Sequence, residues 1–102
     1  MLYQQGDVLI ESIQSIPTEA LIKDRENNKY IIAKGEATGH AHLIEDPVAL
    51  YFHKETFYIL AKIEFQIIHE EHLPLSVPKG IYQIRKVREY DHFFEETKEI
   101  AD

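Results

Sequence analysis

Val48-Ala-Leu-Tyr-Phe-His-Lys-Glu-Thr-Phe-Tyr-Ile-Leu60 is the stretch on which the fold turns. Two short runs, 48–52 and 56–60, are apolar and rich in aromatic and β-branched side chains, and the polar His53-Lys-Glu55 separates them. Each run is too short for a stable helix, and the spacer suits a hairpin loop, so the stretch predicts two antiparallel strands. The same signature continues outward in both directions. Upstream lie Asp7-Val-Leu-Ile-Glu-Ser-Ile13, ended by Pro17, and Tyr30-Ile-Ile-Ala33, ahead of Gly35. Downstream lie Phe65-Gln-Ile-Ile68 and Gly80-Ile-Tyr-Gln-Ile-Arg-Lys-Val87. Short runs recurring roughly every ten positions indicate an all-β chain, a single-domain sandwich or barrel of about seven or eight strands over residues 1–102.

Two stretches depart from that pattern. Residues 18–24 fit either a turn or two of helix capped by Thr18 or another strand. The tail from Asp91 begins with an N-cap residue and sets Phe93, Phe94 and Thr97 near one face, which predicts a short C-terminal helix.

Composition narrows the function classes. The chain has 102 residues, a formal net charge of −7, six histidines and no cysteine. A surplus of carboxylates repels a phosphate backbone, so nucleic acid is not the expected partner. The local exception is Arg85-Lys86-Val-Arg88, where a strand over 82–90 would align Tyr82, Ile84, Lys86, Arg88 and Tyr90. Such a stripe either holds an anion or a stacked base, or forms a solvated face paired with neighbouring Glu residues. No apolar run approaches the roughly 20 residues of a membrane span, and no signal-peptide pattern opens the chain, so a cytoplasmic location is expected. A core this small would gain from burial in a homo-oligomer. Without cysteine, any metal must be held by nitrogen and oxygen.

Four of the six histidines fall in two pairs, His40-Ala-His42 and His69-Glu-Glu-His72. On an extended segment His40 and His42 share a face, about 7 Å apart along the backbone. The second pair converges only if the chain turns at Glu70-Glu71, which Pro74 downstream favours. Together they offer His40, His42, His69 and His72 as metal ligands, with Glu45, Glu70 or Glu71 as oxygen donors. Imidazole and carboxylate suit a divalent transition metal such as zinc, iron, nickel or manganese. An open coordination position would allow metal-assisted hydrolysis of a small-molecule substrate, with Glu36 and Glu70 as candidate bases. The competing reading is a metal-free His/Glu cluster that recognises a protein partner or an anion. Glu36 and Thr38 equally suit backbone pairing in a Gly35/Gly39-bracketed turn. His53 and His92 stand in loop-like contexts, apart from the pairs.

Several of these segments resemble a small uncharacterised family of bacterial and phage-associated proteins. The likeness is carried by Gln5-Gly-Asp-Val-Leu-Ile10, Gly35-Glu-Ala-Thr-Gly-His-Ala-His42, His69-Glu-Glu-His-Leu-Pro74, Pro78-Lys-Gly-Ile-Tyr82 and Arg88-Glu-Tyr90. It implies that the two histidine segments belong to one site. Val87 stands where such proteins often carry Gln. A looser similarity, to the first motif of the cupin barrels, rests on Gly35, His40, His42 and Glu45. The later Pro78-Lys-Gly80 echoes the second cupin motif without the histidine that should follow it.

Overall fold

A computed structural model describes residues 1–34, 40–86 and 98–101. Its strands are β1 (Leu2–Gln5), β2 (Val8–Ser12), β3 (Leu21–Lys23), β4 (Tyr30–Lys34), β5 (Ala41–Ile44), β6 (Ala49–His53), β7 (Thr56–Ala61), β8 (Phe65–His69), β9 (His72–Val77), β10 (Gly80–Lys86) and β11 (Lys98–Ala101). They form a seven-stranded sheet, in the order β11-β1-β2-β10-β7-β6-β3, and a four-stranded sheet, in the order β4-β5-β8-β9. Neither order closes on itself, so the architecture is a sandwich and not a barrel.

The hairpin that opened the sequence reading is β6–β7, paired from Ala49↔Leu60 to His53↔Thr56. Its two loop residues, Lys54 and Glu55, both have positive φ, as the twist of a tight two-residue hairpin requires. The core forms between the sheets because alternate residues on each strand point inward. Val8, Ile10, Ile59 and Tyr82 of the large sheet meet Ile44, Phe65, Ile67, Leu75 and Val77 of the small one. Phe65 and Tyr82 make an edge-on ring contact across the gap, centroids 5.9 Å apart.

Four sequence expectations are corrected or completed. Residues 21–23 are strand β3, not helix, and they edge the large sheet with Leu21 and Ile22 exposed. Lys98–Ala101 is strand β11, parallel to β1, where the tail had been expected to be helical. Backbone pairing to an existing strand outweighs the weak local preference of so short a segment. The rest of the expected helix, with Phe93 and Phe94, lies outside the described residues. Tyr82 and Ile84 are buried in the core, so they belong to no solvated or base-stacking stripe; Arg88 and Tyr90 lie outside the described residues. Finally, β1 and β9 are strands that composition alone did not reveal. β9 keeps Pro74 because it is an edge strand, whose outer N–H groups need no partner.

Among the described residues no helix is long and apolar enough to cross a membrane.

Candidate functional site

The four paired histidines come together at one end of the sandwich. His42 lies on β5 and is buried, its side chain turned inward like that of Ile44 two residues on. His40 precedes β5. His69 ends β8 and His72 begins β9, paired directly across the Glu70-Glu71 turn. A register irregularity between Ile67 and His69 breaks the alternation there, leaving Leu73 exposed while His72 turns toward the other rings. Such bulges re-aim side chains. The ring of His69 lies 4.4 Å from that of His42, 4.7 Å from His72 and 5.8 Å from His40, centroid to centroid. His42 and His72 stack nearly parallel at 5.9 Å.

The large sheet reaches into this cluster through the β1–β2 turn, Gln5-Gly6-Asp7. Gln5 is fully buried and fully satisfied. Its Nε2 donates to the carbonyls of Ile67 and Leu73, each at 2.8 Å, so the amide bridges the two sheets. That fixes its orientation, because a flipped amide would set oxygen against two carbonyls. Gln5 Oε1 is then an acceptor, and the 2.9 Å contact with His42 Nδ1 is a bond that Nδ1–H donates. The neutral His42 ring therefore carries its hydrogen on Nδ1 and its lone pair on Nε2. Burial pushes the His42 pKa down to about 4; His69 and His72 act in the same direction and Asp7 opposes them. Gly6 has φ +58°, and a Cβ there would meet His72 Nε2 at 2.7 Å, so glycine is needed for both the turn and the room. Asp7 Oδ1 stands 3.5 Å from His42 Nε2.

The remaining rings are engaged differently. Both nitrogens of His40 face carboxylates, Nδ1 at 2.5 Å from Glu71 and Nε2 at 3.0 Å from Glu70. His69 Nδ1 accepts the Glu71 N–H at 3.0 Å, which leaves the hydrogen of the neutral ring on Nε2. Among the described residues no group of three or more His, Asp or Glu side chains is arranged so that it could hold a metal ion. Of the expected oxygen donors, Glu70 and Glu71 join the cluster through His40. Glu45 is exposed just beyond β5, and its backbone carbonyl accepts from Arg25. Glu36 and Thr38 lie outside the described residues, as does His92; His53 ends β6, apart from the rings.

The space beside the cluster is small. A groove of about 210 Å³ is lined by Ala41, Leu43, Ile68, His69 and Glu70, below the roughly 300–1,000 Å³ typical of drug-sized ligands. A larger cavity, about 550 Å³, opens beside Ala33, Phe57, Gln83, Arg85 and Lys86 and contains no histidine.

Sequence reasoning found the four histidines and missed Gln5, Gly6 and Asp7 as their partners. The available signal was the Gln-Gly-Asp run itself, conspicuous as a motif but without any spacing that ties it to residues 40–72. No curated protein and no solved structure matches the chain. A family model matches residues 4–87, a span that takes in Gln5, Asp7 and all four clustered histidines, and the chain belongs to that family, described as "Domain of unknown function (DUF8820)".

Proposed function

We propose that this chain is a small metal-binding β domain, cytoplasmic, which holds one divalent transition metal in its histidine cluster. The observation that carries the reading is the buried, neutral His42. Its Nδ1–H is committed to Gln5, which leaves the lone pair on Nε2, and its ring packs against those of His69 and His72. A ligating histidine commonly donates its other ring N–H to an oxygen acceptor, which fixes its tautomer and orientation, and the Gln5 oxygen supplies such an acceptor here. Zinc, iron, nickel and manganese all suit imidazole with carboxylate. The resemblance of the two histidine segments to one bacterial and phage-associated pattern supports treating them as a single site.

A second reading is favoured by the Glu70–His40–Glu71 arrangement, in which both His40 nitrogens already have partners. It takes the cluster as a metal-free polar surface for a protein or anionic partner.

Elemental analysis of untagged protein, after incubation with each metal and removal of excess, tests the first reading. About one equivalent per chain is expected; less than about a tenth of an equivalent of every metal rejects it. His72→Ala separates the two readings. It lowers the melting temperature of only the metal-loaded protein if the site is metallic, and of loaded and chelated protein alike if the cluster is structural.

A further inference from the structure

The cavity of about 550 Å³ beside Phe57 has a lining of a different character from the histidine cluster. Its volume falls within the roughly 300–1,000 Å³ of pockets that enclose small ligands. The apolar wall is drawn from both sheets. Ile84 of β10 and Phe57 of β7 are register partners in the large sheet, and Ile32 of β4 belongs to the small one. Ile32 and Ile84 are core residues and Phe57 packs against that core, so the cavity reaches down to the hydrophobic interior.

The polar part of the lining is charged. β10 ends in Arg85-Lys86, and both side chains line the cavity, together with Glu55 of the β6–β7 loop. Two adjoining cations are notable in a chain whose formal net charge is −7. Each has a carboxylate near it, but at more than the roughly 2.7–2.9 Å of a charge-assisted hydrogen bond. Arg85 Nη1 lies 3.8 Å from Glu11 Oε1, which also accepts from Gln83, and Lys86 Nζ lies 4.0 Å from Asp7 Oδ2. The Lys86 side chain is about half exposed, so its ammonium can turn to a ligand without abandoning a buried partner. Thr56 adds a hydroxyl whose contact with the Lys54 carbonyl, 3.5 Å, is at the limit of a hydrogen bond.

Two cations against one carboxylate leave the described lining with a single positive charge. That balance suits one carboxylate group better than a doubly charged phosphate, and the apolar wall calls for a hydrocarbon body. We propose that this cavity binds a small monocarboxylate with an apolar or aromatic body. The head group sits on Lys86 and Arg85, and the body lies against Ile32, Phe57 and Ile84. No histidine lines the cavity, so the proposal goes beyond the metal reading and does not depend on it.

Phenylacetate is the probe, titrated at low salt into untagged, chelator-treated protein and followed by amide ¹H–¹⁵N shifts. Saturable shifts are expected in β4, at the start of β7 and at the end of β10. Phenylacetate should bind at least ~10-fold more tightly than neutral phenylacetamide, the scale of one charged hydrogen bond. Lys86→Met keeps the bulk of the stem and removes the charge. It should weaken phenylacetate at least ~5-fold and leave phenylacetamide unchanged. Glu55→Gln removes the opposing carboxylate and should tighten phenylacetate, a gain that a damaged fold cannot produce. Equal affinity for acid and amide, or full phenylacetate affinity in Lys86→Met, would overturn the proposal. So would tighter binding of inorganic phosphate, or no saturable shift in these strands at millimolar probe.

Discussion

At the scale of single residues, His42 sets the acid limit of the fold. Its folded pKa is lowered from 6.5 to about 4, chiefly by burial, whereas in the unfolded chain it titrates normally. The depression means that the folded state refuses a proton which the unfolded state accepts. Its contribution to stability is therefore complete above about pH 6.5 and is lost as pH falls toward 4. The shift corresponds to about 3 kcal/mol at most. Urea denaturation of the metal-free protein should show stability declining between pH 7 and pH 5, before most carboxylates titrate. A flat profile over that interval would contradict the buried, neutral assignment. The histidines themselves were legible in the sequence, since a pair at i and i+2 on an extended segment must share a face. Their partners were not. A buried Gln and a half-exposed Asp carry no periodicity, and nothing local tells that residue 5 will meet residue 42.

Among the elements, burial and not hydrophobicity decides which strand residues matter. Ile22 on edge strand β3 is exposed, whereas Ile10 on central strand β2 is fully buried between the sheets. Ile22→Lys should change stability by no more than about 0.5 kcal/mol. Ile10→Ala should cost about 2–5 kcal/mol, because it removes packed methyl groups and leaves a cavity. Urea midpoints of the two variants check this, and a costly Ile22→Lys would mean that β3 is covered by something. The strands β2, β4, β6, β7, β8 and β10 were legible because their short apolar runs end at polar or turn-forming residues, whereas β5 was considered only as an extended segment that would bring His40 and His42 to one face. Three others were hidden for separate reasons. β1 ends in two glutamines, one of them buried for its hydrogen bonds. β9 contains a proline that only an edge position tolerates. β11 is made by pairing with β1, a long-range partnership that overrides the local pattern of its own residues.

Across the whole molecule, the cluster sits where the two sheets touch. Asp7 comes from the large sheet, and His42 and His72 come from the small one. On the proposed metal-binding reading, an ion in this cluster would hold β5, β8 and β9 together beside the β1–β2 turn. At a free concentration about a hundred times its Kd, it should raise stability by about 2.7 kcal/mol. Hydrogen exchange should slow in β1–β2 and in β8–β9 together on loading. Protection confined to β8–β9 would place the ion on the small sheet alone. The carboxylate surplus acts at this scale too, giving the molecule a formal net charge of −7 and a negative long-range potential.

The Gln5 amide ties the first strand of the chain to carbonyls 62 and 68 residues further along. Joining points so far apart in the chain carries the entropy cost of closing a long loop. Until Gln5 docks, nothing fixes the tautomer of His42, and Asp7 and Gly6 are not beside the rings. The arrangement is therefore a property of the closed domain and not of its histidine segments: a chain in which β1 has come away keeps all four imidazoles but loses the oxygen that orients His42.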